Sequence, residues 1–167
     1  MAQIPAESTE AKHGVNVYIA GPFAEPHHRE ALLHMIDIVR NTLNRSEVLD
    51  NLYIPMEYKV KGDFQKPDGT WNLPNHVWAK DVFQADIAAI ENADVVIVLY
   101  DGRKGTTGTA WEIGYAYAKN IPVVGYIPEY ARKEPMSLMV LNSFAGLLRE
   151  DGDVATPDEW IADMDQK

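Results

Sequence analysis

Cysteine is absent from the 167 residues. That excludes disulfides, thiolate metal sites and a cysteine nucleophile, and it fits a reducing compartment, so a cytoplasmic location is expected. Long apolar runs are absent too. The longest, "VVIVLY" at 95–100, is far too short to cross a bilayer, and no charged-then-apolar leader opens the chain. Basic residues are few: 15 Lys and Arg against 25 Asp and Glu leave a formal net charge of −10. Neither a membrane nor nucleic acid is therefore an expected partner, because nucleic-acid binding rests on Lys and Arg meeting phosphates. Metal-ligand spacing is also missing. His27 and His28 are adjacent and do not share a helix face, and His76 has no acidic or His partner four residues on, so no metal site is expected. There is no Walker loop, dinucleotide fingerprint or Ser-centred nucleophile elbow, and no cofactor is expected.

What is present suits one globular domain. Apolar residues make up 46% and charged residues 24%, ordinary values for a chain with one sizeable core. Residues 1–14 read as a loose polar arm and 15–167 as a single domain. "VNVYIA" (15–20), "LYIPM" (52–56), "DVVIVLY" (94–100) and "PVVGYI" (122–127) read as strands, and "LL" at 147–148 seeds a fifth. Between them lie helical patterns at 28–44, with apolar residues at 32, 33, 36, 39 and 43, at 76–93 and at 110–120; a shorter one follows at 135–146 and another from Pro157. Alternating strands and helices predict an α/β, flavodoxin-like (Rossmann-like) parallel sheet of four to five strands with helices on both faces, in the order 2-1-3-4-5. Ligands in such sheets bind at the carboxyl ends of the strands, where the order switches. The loop after strand 1, "AGPF" with Gly21, and the loop after strand 3, "YDGRKGTTGT" with Gly108, should face one cleft. The segment 57–75, long and aperiodic, reads as a lid over it or as a surface excursion.

"GTTGTAWEIGYAYA", 105–118, sets glycines and threonines directly before a Glu in an apolar helix. Two readings stand side by side. "TAWE" matches a capping box, in which Thr109 caps the helix and Glu112 reaches back to its amide. Alternatively Glu112, in the helix's first turn at the mouth of a glycine-lined cleft, is an anionic nucleophile. A second acid is placed unusually: Asp86 has Val82 and Phe83 behind it and Ala89 and Ile90 ahead, an apolar stripe where an acid needs a partner or a purpose. Two carboxylates at one sheet edge suit chemistry at an anomeric carbon. Tyr18, Phe23 and Trp78 sit on the same elements, and each is either core or a platform for a flat base.

Taken together, "YIAGPF", "VWAKDVFQADIAAIENAD", "GTAWEIGYA" and "MSLM" resemble the nucleoside 2-deoxyribosyltransferases over about residues 15–145. The resemblance implies transfer of a 2-deoxyribosyl group between purine or pyrimidine bases through a covalent glycosyl-enzyme, with retention. It implies Glu112 as nucleophile, Tyr18 as the residue that positions it, and Asp86 as the acid that handles sugar and leaving base. Phe23 and Trp78 match aromatic positions that line the base pocket. Met139 matches a methionine supplied by a neighbouring subunit, so a homo-oligomer acting on nucleosides and free bases is implied. At two places the chain departs from the family. Thr106 stands where an acid usually touches the base, with Asp101 earlier in the loop as the candidate substitute. Ser137 stands where Asn usually meets the sugar 5′-hydroxyl, as in the related nucleoside 5′-monophosphate N-glycosidases. An N-glycosidase and a non-catalytic nucleoside-binding domain are the alternatives.

Overall fold

The structure is a computed structural model; it describes residues 14–23, 25–46, 49–57, 76–103 and 106–165, with the backbone alone described at 76–78, 161 and 163–165. Apart from Gly14 and Glu57, the arm at 1–14 and the segment 57–75 lie outside these residues.

Strand β1 (Val15–Ala20) is followed by helix α1 (Pro26–Ser46), strand β2 (Leu49–Tyr53), a single 3-10 turn at Pro55–Glu57 and helix α2 (His76–Glu91). Strand β3 (Val95–Leu99), helix α3 (Thr107–Ala118), strand β4 (Val123–Tyr126), the short helix α4 (Leu138–Leu141), strands β5 (Gly146–Leu148) and β6 (Val154–Ala155), and helix α5 (Pro157–Asp165) complete the chain. The strands form one sheet in the order β2-β1-β3-β4-β5-β6. The expected 2-1-3-4-5 order is therefore present, with a sixth strand beyond the four or five predicted. That strand pairs antiparallel through Leu147↔Ala155 and Leu148↔Val154. Two residues are too few to carry a visible alternation, and the chain doubles back to them through Gly152, whose φ of +90° suits glycine.

The core lies on both faces of the sheet because the central strands β1 and β3 are apolar at all but one position, Asn16. Val17, Ile19, Ile97 and Leu99 face α1, which meets them with Leu32, Met35, Ile36 and Val39. Tyr18, Ala20, Val96 and Val98 face the other way, against Ile90 of α2, Ile113 and Ala116 of α3 and Val140 of α4. Each such aliphatic burial is worth about 1.5–3 kcal/mol. The α1 stripe differs from the expected one: Leu33 is 42% exposed, while Met35 and Ile38 are buried.

Three element boundaries also differ. Strand β2 ends at Tyr53 rather than at 56, because Pro55 lacks the amide a strand needs and opens the 3-10 turn instead. Helix α4 is a single turn, not the twelve residues of 135–146. Helix α3 begins at Thr107, three residues earlier than expected. Its far end is a Schellman motif: Asn120 adopts φ +58°, the Ile121 amide donates to Ala116 O and the Asn120 amide to Tyr117 O. Among the described residues no helix is long and apolar enough to cross a membrane.

Candidate active site

The early start of α3 removes the capping-box reading. Thr106 is the N-cap and makes no side-chain capping bond, so Thr109 is the third helical residue and Glu112 the sixth. Glu112 is thus in the second turn, beyond the amides it would cap and beyond most of the helix dipole. It points instead across the sheet edge to β1. The Tyr18 hydroxyl donates to Glu112 Oε1 at 2.6 Å. Tyr18 is fully buried, so the length of β1 fixes where that hydroxyl stands, and the α3 helix fixes the acid that meets it.

A second tyrosine–acid pair lies beside the first. The Tyr53 hydroxyl, at the end of β2, donates to Asp86 Oδ1 at 3.1 Å. Tyr18 and Tyr53 are register partners on adjacent parallel strands, so their side chains leave the same face of the sheet. Their rings stack with centroids 5.5 Å apart and planes 11° from parallel. The site is therefore a row: Asp86, Tyr53, Tyr18, Glu112. Glu112 is pushed up to about 7 from its ordinary 4.5. Burial is the main cause, the Tyr18 bond pulls the other way, and the negative charge of Asp86 raises it further. Burial also raises Asp86, opposed by the Tyr53 bond, and it raises the Tyr18 phenol well above its ordinary range, so Tyr18 stays protonated and can only donate. The charge of Asp86 is thus felt at Glu112, and the two titrations are coupled. Each acid has one oxygen bound by a tyrosine, and the second oxygens, Glu112 Oε2 and Asp86 Oδ2, have no partner among the described residues.

The other expected site residues divide. Gly108 lies four residues before Glu112, on the same helix face, and a Cβ there would meet nothing within 4 Å; the open space continues from the acid towards the helix start. Gly21 is a packing glycine at the end of β1, where a Cβ would come within 2.9 Å of Leu32 Cδ1 and 3.1 Å of Leu99 Cβ. Phe23 packs, partly buried, against the α1 side of the core. Thr106 is buried, and its hydroxyl donates to Arg103 O at 2.7 Å, closing its own loop. Ser137 and Met139 are exposed at α4. The side chain of Trp78 lies outside the described residues.

Asp101 is placed apart from Glu112. It continues the Ile97–Leu99 alternation onto the α1 face, where it is fully buried. His28 Nε2–H donates to its Oδ2 at 2.9 Å, Tyr130 O–H to the same oxygen at 3.3 Å, and the Arg103 amide to Oδ1 at 3.0 Å. The expectation that His27 and His28 stay apart is corrected: their ring centroids are 4.1 Å apart, and a nitrogen of each lies within 4.8 Å of an Asp101 oxygen. At the start of α1 the two rings fold towards one pocket rather than fan out along the helix. Three donors already satisfy Asp101, so the cluster ties α1, β3 and the turn at Glu129–Ala131 together.

Tyr53 and His28 were not singled out by sequence reasoning. For Tyr53 a signal existed: "NLYIP" ends the strand that neighbours β1, so an in-register partner for Tyr18 was to be sought there. His28 carried none, because its role depends on a loop 73 residues away.

A family model described as nucleoside 2-deoxyribosyltransferase matches residues 17–151. Among solved structures, a 2-deoxyribosyltransferase from Bacillus psychrosaccharolyticus is similar at 22% identity and a TM-score of 0.63, over 80% of this chain and 85% of that one. A conserved protein from Enterococcus faecalis V583 is similar at 21% identity and a TM-score of 0.54, over 92% of this chain and 98% of that one. At these identities the structural likeness speaks for the fold. No curated protein matches the sequence.

Proposed function

The chain belongs to the nucleoside 2-deoxyribosyltransferase family, and from that premise we propose that it exchanges nucleobases on 2′-deoxynucleosides through a glycosyl ester on Glu112, with retained configuration at C1′. The observation that carries this reading is the 2.6 Å bond from Tyr18 to Glu112 Oε1. It holds the carboxylate in one rotamer, stabilises its charge against burial, and leaves Oε2 to attack.

The steps balance with these residues alone. Oε2 bonds to C1′ as the C1′–N bond breaks, and the electron pair stays on the base nitrogen. Asp86, in its protonated form, gives that nitrogen, or a ring atom conjugated to it, a proton. An incoming base then attacks C1′ from the face the first one left, the C1′–Oε2 bond breaks, and the proton returns to Asp86. Two inversions give retention. Phe23 and Trp78 would line the base pocket. Thr106, where this chain departs from the family, would bear on base preference, with Gly21 and Gly108 shaping the approach to the cleft. Met139, 81% exposed beside Leu138 at 75% and Tyr117 at 61%, supports an apolar contact with a second copy of the chain, through which Ser137 and Met139 would reach a neighbour's site. Salvage of free bases and nucleosides in the cytoplasm is the setting this chemistry fits.

The test is an exchange assay with a deoxynucleoside donor and purine or pyrimidine acceptors, paired with intact-mass spectrometry using a slow-turnover fluorinated deoxynucleoside. Base exchange, and an adduct mapping between Thr109 and Tyr115, are expected. Base release without exchange would make the protein an N-glycosidase. Neither exchange nor release would leave a nucleoside-binding domain.

A further inference from the structure

Tyr53 belongs to none of the assignments above, yet of the described side chains it is the one that touches both Tyr18 and Asp86. Its hydroxyl donates to Asp86 Oδ1, and its ring lies flat against the ring of the tyrosine that holds Glu112. A phenol this close to a carboxyl group acts as donor when the acid is ionised and still occupies Oδ1 when it is not. A proton resident on Asp86 is thereby directed to Oδ2. The two tyrosine bonds are also unequal. The bond to Glu112 is 2.6 Å and the bond to Asp86 3.1 Å, and a shorter charge-assisted bond stabilises an anion more. Tyr18 therefore holds its carboxylate more tightly than Tyr53 holds Asp86.

Resting on the functional reading above, we infer that Tyr53 is the positioning residue of Asp86: it occupies Oδ1, leaves Oδ2 as the oxygen that hands the proton to the leaving base, and through its stack on Tyr18 sets the two acids at a fixed separation. The mechanism then needs both tyrosines. Tyr18 orients Glu112 and Tyr53 orients Asp86, and the pairing of β1 with β2 holds them side by side.

The variant that tests this is Tyr53→Phe, which keeps the ring and its stack and removes only the donor. Carboxyl carbon NMR follows Asp86 and Glu112 in wild type, in Tyr53→Phe and in Tyr18→Phe. Loss of the Tyr53 hydroxyl should raise the Asp86 titration, because a donor to the ionised form has gone. It should also lower kcat by roughly tenfold or more while KM stays within about threefold, the pattern of lost orientation. Added to Asp86→Asn, the same change should cost little further, because the two residues act as a unit. An Asp86 titration unmoved in Tyr53→Phe, or a loss of kcat fully additive to that of Asp86→Asn, overturns the assignment. The functional reading fails separately. If the wild-type enzyme neither exchanges nor releases a base, that reading is lost, while the Asp86 titration still decides whether Tyr53 governs it.

Discussion

Glu112 and Asp101 both lie at the carboxyl edge of the sheet, Glu112 on the side covered by α2 and α3 and Asp101 on the side covered by α1. Each is met by a tyrosine hydroxyl. Asp101 has three donors on its two oxygens and is sealed off from solvent. Among the described residues, Glu112 has one donor, a second acid close enough to raise it, and an oxygen without a partner. A buried acid with donors in excess is a fastening, because removing it leaves three polar groups without their acceptor. A half-buried acid short of donors is unstable where it stands, and its cost to the fold makes sense if something else completes it. The two faces thus use the same residue types to opposite ends, and the count of donors per oxygen tells them apart.

Glu112→Gln tests the difference most strongly. Exchange should fall by at least about 10³-fold, since the nucleophile is gone and general acid catalysis alone is worth about 10²–10⁴. The same variant should be more stable than wild type at alkaline pH. Glu112 titrates at about 7 in the fold against an ordinary 4.5. Between those values the folded protein holds a proton that the unfolded chain has released, so stability falls as pH rises through the window, and the full penalty is present above it. Gln cannot ionise and escapes that penalty, worth about 1–3 kcal/mol. Urea unfolding across pH should show the advantage above neutrality and none below about pH 4, the unfolded range of the acid. A variant less stable than wild type at every pH would mean that Glu112 is itself a fastening.

Asp101→Asn is the converse and its effect should be smaller. The amide's NH2 must face one of the donors that Asp101 now accepts from, which costs about 1–3 kcal/mol of stability. kcat per folded molecule should stay within a few-fold, because among the described residues no hydrogen bond or ring contact links this cluster to Tyr18, Asp86 or Glu112. Denaturant midpoint and kcat measured on the same sample separate the two effects. A large fall in kcat at unchanged stability would move Asp101 to the groups that touch substrate.

The sheet and its order were legible in the chain because the central strands are apolar at nearly every position and the helices between them keep their period. Glu112 and Asp86 were legible because each is an acid among apolar neighbours. The start of α3 was not. "TAWE" fits a capping box in isolation, and what overrides it is the loop before it, where Thr106 turns its hydroxyl to Arg103 O and lets the helix begin early. Tyr53 and His28 act through strand register and through a loop from the far side of the sheet, and neither relation exists in one dimension.

Ser137 should give the smallest effect. It is exposed at the start of α4, and its hydroxyl makes no capping bond, so it is free to donate to either a 5′-hydroxyl or a phosphate oxygen. The choice therefore falls to charge. A 5′-monophosphate would bring about −1.5 to −2 charges towards a cleft that already holds Glu112 and Asp86 in a chain of net charge −10. Arg103, in the loop after β3, is already committed to Glu134 at 3.0 Å. One like-charge contact at a solvated site is worth about 1 kcal/mol, so deoxyadenosine should be preferred over its 5′-monophosphate by roughly fivefold in kcat/KM. The preference should shrink at high salt, where exposed charges are screened. Ser137→Ala should cost both substrates about equally. A preference for the monophosphate that Ser137→Ala abolishes would instead mean that the exposed serine reads phosphate, and base release from nucleotides would then be the activity to measure first.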